Sequence, residues 1–405
     1  MSTTALSEPW TMTRLGWLFQ PVSDRGHEEA MVLSVYRDHG VIPKDSRTDN
    51  FNRTPENLSN YQLVQPGDLV VNRMKAWQGS LGISEHQGIV SPDYEVLRPT
   101  VPKYDSRFLH SLLRSRALID QYALRSTGIR PSQWRLYWDE MKTIEISLPA
   151  AEQQRAIADY LDRETARIDT LIEEQQRLIV MLRERRRAVA LHAIYEPISA
   201  GAVTDKLGRT ARIGNGSTPR RESTAYWDDG DIPWLNSSVV NEPRVTRAEQ
   251  FVTTVALREC HLPVVAPGSV LVGLTGQGKT RGTATILDIE ATVNQHVAYV
   301  TPDRSTWLPE YLLWSLRASY DELRRLSEEN GSTKGGLTCE ALKQFRLAVP
   351  ALDEQRRIAA YLNEQTAKID NLITETEQFI ELSKERRSAL ITAAVTGQID
   401  VREMA

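Results

Sequence analysis

The stretch GLTGQGKT, residues 273–280, matches the phosphate-binding pattern G-x-x-x-x-G-K-[ST] at every position. It also follows a short apolar run at 269–272, as a phosphate loop follows a strand. A working phosphate loop needs a helix that begins at the Lys-Thr pair, because the helix N-terminus helps to bind the phosphates. Here the chain continues as RGTATIL, residues 281–287, whose alternation is typical of a returning strand. We therefore predict a basic hairpin loop between two strands, with nucleotide binding as the less favoured alternative.

Other patterns with catalytic potential are weaker. Asp93, Glu140 and Lys142 resemble a P-D…E-x-K nuclease metal site, but they lie far apart along the chain. Methyltransferases that act on amino groups of DNA bases need an [ND]-P-P-[FYW] loop to hold the flipped base, and the chain contains no Pro-Pro dipeptide. Cys260 and Cys339 cannot form a disulfide framework and have no C-x-x-C spacing for zinc. The sequence thus predicts neither a catalytic residue nor a metal site.

The composition indicates a water-soluble protein of more than one domain. The chain has 405 residues, 40% of them hydrophobic, which is enough for two or three domains with their own cores. Mean hydropathy is -0.40, and no apolar run approaches the roughly 20 residues needed to span a bilayer. The N-terminus MSTTALSEPW has no signal-peptide pattern. We expect a cytoplasmic protein without membrane contact. A net charge of -4 gives no global sign of nucleic-acid binding.

The chain contains an internal duplication. Residues 149–190 align without a gap with residues 350–391, at an offset of 201, and roughly half of the aligned positions are identical. The similarity continues upstream, where residues 65–71 align with 266–272. A repeat of this length is a duplicated domain rather than a solenoid. We divide the chain into a first head (1–147), a first helical segment (148–200), a second head (201–348) and a second helical segment (349–405).

Each helical segment is predicted to be one long helix with an apolar seam. Both open after a proline, and their apolar residues recur at alternating steps of three and four. About 45 residues make a rod roughly 65–70 Å long. Each seam could pack on its own head, but two matched seams favour an antiparallel intramolecular coiled coil with pseudo-two-fold symmetry. The predicted seam and interface residues are Ile157, Leu161, Ile168, Leu171, Leu178, Leu182, Ile358, Leu362, Ile369, Leu372 and Phe379.

The heads are predicted to mix short strands, turns and a few helices, so the fold class is α+β. Their loops carry Arg, Lys, Gln, Asn and Thr side chains, which are suited to contact phosphates and base edges. For any one of these residues, a solvated loop side chain is the simpler interpretation. The candidate DNA-contacting residues are Asn72, Arg73, Lys75, Gln78, Arg125, Arg130, Gln133, Thr218, Arg220, Arg221, Gln277, Lys279, Arg281 and Lys334.

Two groups of motifs resemble a known family. The first is G-S-T-P at 216–219, followed by Y-W at 226–227 and G-D-I-P-W at 230–234. The second is the duplicated P-x-x-[DE]-[EQ]-Q-R-x-I-A-x-Y-L at 149–161 and 350–362. Together they resemble the specificity subunits of type I restriction-modification enzymes over nearly the whole chain. The first head lacks the G-x-T-P…Y-W motif, and it resembles a different subclass of recognition domain.

The resemblance implies a non-catalytic DNA-recognition subunit. Each head would be a target recognition domain that reads one half of a bipartite, asymmetric sequence in double-stranded DNA. The paired helices would set the unread spacer and dock two modification (methyltransferase) subunits, which restriction subunits then join. S-adenosylmethionine, ATP and Mg²⁺ would bind to those partners, so no cofactor is expected in this chain. A coiled-coil scaffold without DNA binding is the remaining alternative.

Overall fold

The computed structural model describes residues 10–37, 39–47, 54–100, 104–130, 133–199, 201–276, 278–329 and 336–401. The chain forms two compact units. Unit 1 comprises Met1–Gln176 and Glu377–Ala405, and unit 2 comprises Arg177–Thr376. Each unit therefore combines one head with part of both long helices.

The first head contains short strands and short helices, followed by the first long helix. The strands are β1 (Thr11–Arg14), β2 (Phe19–Val22), β3 (Leu33–Tyr36), β4 (Gly40–Pro43), β5 (Gln62–Val64), β6 (Leu69–Asn72), β7 (Leu81–Ile83), β8 (Gly88–Val90), β9 (Tyr94–Pro99) and β10 (Glu145–Leu148). The helices are α1 (Leu15–Leu18), α2 (Ser106–Leu113), α3 (Arg116–Arg125), α4 (Trp138–Met141) and the long α5 (Ala151–Ser199).

The second head repeats this plan with additional elements. Its strands are β11 (Thr204–Lys206), β12 (Ala211–Asn215), β13 (Ile232–Leu235), β14 (Arg244–Val245), β15 (Gln250–Val252), β16 (Val270–Gly273), β17 (Ala284–Leu287), β18 (Thr292–Val293), β19 (Val297–Pro302) and β20 (Arg346–Ala348). Its helices are α6 (Leu207–Thr210), α7 (Thr224–Trp227), α8 (Thr254–Glu259), α9 (Pro309–Ala318), α10 (Tyr320–Glu329), α11 (Cys339–Gln344) and the long α12 (Leu352–Val395).

Each head contains its own sheet, and the two sheets have equivalent strand orders. The order is β2-β9-β6-β7 in unit 1 and β12-β19-β16-β17-β14 in unit 2. The Pro-Gly turns before β6 and β16 place Gly67 and Gly268 at φ 93° and 83°, which favours glycine. A two-stranded ladder, β1-β10 or β11-β20, leads into each long helix. The predicted duplication is thus visible in the strand order of each unit.

In unit 1, the first part of α5 packs antiparallel on the last part of α12. Ile157 and Leu161 share a buried core with Ala394 and Val395. Further along α5, Asp169 forms an ion pair with Arg387, with Oδ1 2.9 Å from Nε. The partner position on α12 thus falls as the position on α5 rises, which is the antiparallel direction.

Unit 2 contains the equivalent pairing. Ala193 and Ile194 share a core with Ile358 and Leu362. Arg186 Nε lies 2.8 Å from Asp370 Oδ1. This pair is the 201-residue repeat of the Asp169–Arg387 pair, with the helices exchanged. The predicted antiparallel coiled coil is confirmed within each unit.

The seam prediction was wrong at two positions. Leu372 and Phe379 are 49% and 43% exposed, whereas Ile369 and Ile380 are 5% and 6% exposed. The observed seam of α12 continues from Ile369 through the positions one residue after Leu372 and Phe379. Apolar residues stand both on the seam and one position before it, so the sequence pattern alone did not fix which of them faces inward. As candidates for a subunit interface, Leu372 and Phe379 remain predictions.

A duplicated glutamine explains part of the repeated motif. Gln154 is buried; its Nε2 donates to Pro149 O at 2.9 Å, and its Oε1 accepts from Asp105 N at 3.1 Å. Gln355 likewise donates to Pro350 O at 2.9 Å and accepts from Leu308 N at 2.8 Å. Each side chain joins the start of a long helix to the loop before α2 or α9. Because an unpaired buried amide is costly, the position requires glutamine.

Candidate nucleic-acid interface

The first head contains a polar cleft of about 700 Å³. One side is the β3–β4 hairpin, which contributes Tyr36 and Arg37, and the other is the segment that follows β6. Lys44 and Arg47, just after β4, complete a basic lining. The cleft is therefore suited to an anionic ligand with polar edges, as DNA presents.

Three residues predicted as DNA contacts line this cleft, namely Asn72, Lys75 and Gln78. The loop that carries them is fixed by its own backbone: Asn72 Oδ1 accepts from Met74 N at 3.1 Å, and Lys75 N donates to Asn72 O at 3.0 Å. Lys75 and Gln78 are exposed. Two amide side chains and an ammonium group thus project from a fixed loop, an arrangement that combines base-edge and phosphate contacts.

The cleft also contains tyrosines and cations of the hairpin that were not among the predicted DNA contacts. Tyr36, Tyr61 and Tyr94 lie along it, and burial raises the pKa of the Tyr61 and Tyr94 hydroxyls. Neutral hydroxyls of this kind donate and accept hydrogen bonds. The guanidinium of Arg47 lies 5.3 Å from the centre of the Tyr36 ring. No sequence motif marked these residues, because they come from strands distant along the chain.

The remaining predicted contacts of the first head lie elsewhere. Arg73 braces the loop before β9: its Nε donates to Asp93 O at 3.1 Å, and its Nη1 lies 3.7 Å from Glu95 Oε2. Arg125 pairs with Gln121 at the end of α3, through Nη1 and Oε1 at 2.5 Å. Arg130 and Gln133 are exposed in the following loop. None of Arg73, Arg125, Arg130 and Gln133 is among the described residues that line the cleft.

In the second head, the G-S-T-P motif fixes a loop against the sheet. Gly216 approaches the carbonyl of Val293 so closely that a Cβ would lie 1.7 Å from its oxygen, so only glycine fits. Trp234 is 2% exposed, and its Nε1 donates to Ser217 O at 3.1 Å. Trp227 Nε1 donates to Arg220 O at 3.0 Å. These tryptophans belong to the core that holds the loop.

Arg221 is held between those two tryptophans. Its guanidinium carbon lies 4.3 Å from the centre of the Trp227 ring and 4.9 Å from that of Trp234. Its Nη1 donates to Gln250 Oε1 at 3.0 Å. Cation–π contacts of this kind fix the plane of a guanidinium. Arg220 is exposed beside it.

A polar network lies next to this loop. Thr218 Oγ1 donates to Gln295 Oε1 at 2.7 Å. Gln295 Nε2 lies 3.2 Å from His296 Nε2, and His296 Nδ1 lies 3.0 Å from Thr275 Oγ1. The network joins the G-S-T-P loop to the start of the hairpin loop after β16. Gln295 is exposed, so one end of this network is available for contact with a ligand.

The phosphate-loop-like stretch is a hairpin loop, as predicted. β16 pairs antiparallel with β17, and Gly282 N donates to Gly273 O at 2.8 Å. The loop is held by α10, from which Arg324 Nη1 donates to Gly278 O at 2.7 Å. Since β17 follows the loop where a phosphate loop requires a helix, the nucleotide-binding alternative loses its structural basis.

The charged residues of this loop point in different directions. Lys279 is exposed. Arg281 is 8% exposed, and its Nη2 lies 3.3 Å from Glu328 Oε1. Arg281 is thus placed to support the loop from inside rather than to meet a ligand directly. Gln277 and Lys334 lie outside the described residues.

Within the described ranges, no group of His, Cys, Asp and Glu residues has the geometry to hold a metal ion. In the same ranges, none of the helices combines the length and the apolarity that a membrane span requires.

Comparison with known proteins shows similarity to one family in the second half of the chain. Residues 203–382 match the model described as "Type I restriction modification DNA specificity domain". The chain is 23% identical over 171 residues to the specificity subunit of the type I restriction enzyme EcoR124I/EcoR124II of Escherichia coli. It is 28% identical over 177 residues to that of the enzyme MjaIX of Methanocaldococcus jannaschii. Each match covers 42% of this chain, and 42% and 39% of the respective relatives.

Solved structures show the same fold over nearly the full length. A chain from a structure concerned with complex assembly and conformational transition of the type I R-M system matches with a TM-score of 0.75 and 18% identity, covering 98% of this chain and all of that one. The HsdS subunit of Thermoanaerobacter tengcongensis matches with a TM-score of 0.60 and 18% identity, over 98% and 99% of the two chains. The second half of the chain thus matches the specificity-domain model, and the whole chain has the fold of these solved structures.

Proposed function

We propose that the chain is the DNA-recognition subunit of a type I restriction-modification system and carries no catalytic centre of its own. Residues 1–147 and 201–348 would be the target recognition domains, each reading one half of a bipartite, asymmetric sequence in double-stranded DNA. Residues 148–200 and 349–405 would set the unread spacer. The observation that carries the proposal is the same head and helix start occurring twice, with different loops in each copy.

The two heads differ where DNA would be read. The first offers the cleft with Lys44, Lys75 and Gln78. The second offers exposed Arg220 and Lys279 around its polar network. A shared skeleton with different loops supports the reading of two different half-sequences.

Partner subunits would supply the chemistry. We infer that two modification subunits dock on the paired helices and that restriction subunits join this core. S-adenosylmethionine, ATP and Mg²⁺ would be bound by these partners. A formal net charge of -4 agrees with partners that share the phosphate contacts. We assign the complex to the cytoplasm.

Methylation mapping tests this function. The chain is expressed with its modification subunit in a host without the system, and methylated adenines are located by single-molecule sequencing of the genome. We expect one motif of two specified stretches separated by an unread spacer of constant length. The chain alone and the modification subunit alone serve as controls, and neither should methylate DNA. Methylation by the chain alone, or a continuous motif, would contradict the proposal.

A further inference from the structure

Unit 2 contains an open groove where the end of α5 meets the start of α12. Its volume is about 1260 Å³, and Val189, Val349 and Ile358 form part of its apolar floor. Tyr361 and Val203, also in its lining, are 48% and 73% exposed. These two side chains thus leave apolar surface exposed to solvent in the groove.

Unit 1 contains the same junction in the same register. Thr11 pairs with Leu148 in the β1–β10 ladder. Val203 takes the place of Thr11, because Val349, the repeat of Leu148, donates its N–H to Val203 O at 2.9 Å. Trp10 in unit 1 therefore corresponds to Ala202 in unit 2, where the large ring is missing.

In unit 1 the junction is filled by the chain itself. α12 ends at Val395, and the backbone turns at Gly397, with φ 74°. The segment after this turn brings Ile399 and Val401 onto the core of unit 1, and Val401 is 5% exposed. Trp10 packs directly against Gly397, where a Cβ would lie 2.9 Å from its ring.

One pair of identical residues shows the consequence. Tyr160 in unit 1 is 9% exposed, whereas Tyr361, its repeat in unit 2, is 48% exposed. The cause is local in the sequence. The position equivalent to Gly397 is Glu196, so α5 continues to Ser199, and the glycine with a positive φ is Gly201. Among the described residues, no segment packs over Tyr361 in the way that Ile399 and Val401 pack on the core that contains Tyr160 in unit 1.

The rims of the two junctions also differ in charge. The groove of unit 2 is bordered by His192, Glu196, Glu354 and Arg357. Glu196 Oε2 lies 3.8 Å from His192 Nδ1, and the carboxylate of Glu354 pairs with the guanidinium of Arg357. In unit 1 every equivalent position is neutral; these positions are Ala393, Gly397, Gln153 and Ala156. At these four positions the filled junction is thus uncharged, whereas the open one has two carboxylates, one guanidinium and one imidazole.

We propose that the groove of unit 2 binds a short segment of one modification subunit. The segment would place a large aromatic side chain over Tyr361, as Trp10 does at the equivalent junction, and a basic side chain beside Glu196 and Glu354. The identity of this partner rests on the function proposed above. Because unit 1 fills its own junction, the two modification subunits would bind in non-equivalent ways.

The variant Ala202→Trp tests this proposal. The new tryptophan would fill the groove with the chain's own aromatic ring, in place of the ring that the partner would supply. Native mass spectrometry of the full chain with its modification subunit counts the bound copies, and a titration measures their affinities. We expect one copy to be lost, or its affinity to fall by about tenfold or more. Val264→Trp, which adds the same ring at a 45% exposed position outside the groove, is the matched control.

Glu196→Lys provides a second variant that leaves the apolar floor intact. We expect it to weaken the same copy, while circular dichroism and the melting temperature stay as in the wild type. If Ala202→Trp and Glu196→Lys both bind two copies with wild-type affinity, the groove proposal is wrong while the proposed function stands. If the wild-type chain binds no modification subunit, the docking part of the proposed function fails, and the groove proposal fails with it.

Discussion

Individual basic and polar side chains divide into those that project into solvent and those that hold the surface in shape. Lys75 and Gln78 project into the cleft of the first head. Arg73 and Arg281 were predicted from the same kind of basic loop. Arg73 instead donates to the backbone of Asp93, and the buried Arg281 pairs with Glu328. Residue type and position in a loop therefore do not determine whether a basic side chain meets solvent.

Substitutions in the cleft should act on DNA binding. With Lys44→Ala and Lys75→Ala, we expect weaker binding by the full complex and a shallower dependence on salt. Each lost phosphate contact should reduce the slope of log K against log[salt] by about one unit. Fluorescence anisotropy over a salt series measures this. Lys142→Ala removes an exposed cation that pairs with Asp139 outside the cleft, and it should leave the slope unchanged. Equal effects of all three variants would contradict the assignment of the cleft.

His110 should make the first head sensitive to acid. Its Nδ1 lies 3.3 Å from Ile83 O, and Arg114 Nη1 lies 3.2 Å from its Nε2. Burial, together with the Arg114 charge, lowers the pKa of His110 to about 4. The unfolded chain binds a proton at its ordinary pKa near 6.5, so the free energy of unfolding falls as the pH drops from about 6.5 to about 4. The loss is on the order of 3 kcal/mol.

The second head provides the control for this prediction. The residue equivalent to His110 is Leu313, which is 5% exposed. His110→Leu should remove the acid-dependent loss in the free energy of unfolding. The stability of the variant relative to the wild type should therefore rise as the pH falls from 7 to 4. Chemical denaturation at both pH values measures it. Parallel stability curves for the two proteins would contradict a neutral buried imidazole.

The long helices were predictable as elements, but the inward face was only partly predictable. The steps of three and four residues correctly gave Ile358, Leu362 and Ile369 as buried. At 372–373 and again at 379–380, two apolar residues are adjacent in the sequence, and periodicity alone cannot choose between them. Packing against the opposite helix decides, and that partner surface is not a property of the local sequence.

A matched pair of substitutions in α12 tests the observed seam. Ile369 is 5% exposed and Leu372 is 49% exposed. Because a buried carboxylate is costly, Ile369→Asp should destabilise the protein by about 3 kcal/mol or more, whereas Leu372→Asp should cost less than about 1 kcal/mol. Chemical denaturation of both variants gives the comparison. A larger loss for Leu372→Asp would place the seam where the sequence pattern first suggested.

Other elements could not be predicted because they depend on contacts distant in sequence. The cleft of the first head joins the β3–β4 hairpin to residues 72–78, and no motif links these segments. The closure of the unit 1 junction joins Trp10 to residues after Gly397, at the opposite end of the chain. By contrast, the duplicated Gln154 and Gln355 were visible as a motif, since both bind backbone near their own helix start.

For the whole molecule, the duplication is the basis of the account. Each unit has a head with the same central strand order and an antiparallel helix pair joined by an equivalent Arg–Asp ion pair. Two such units with different loops are suited to two different half-sequences. The central claim is that each head reads its half independently, while the paired helices fix the distance between the halves.

Replacement of one head tests this claim most directly. Residues 201–348 are exchanged for the corresponding head of a related specificity subunit, the chimaera is expressed with the same modification subunit, and methylated adenines are mapped. We predict that one half of the methylated motif changes, while the other half and the spacer length stay as in the wild type. A motif that changes in both halves, or in neither, would contradict it.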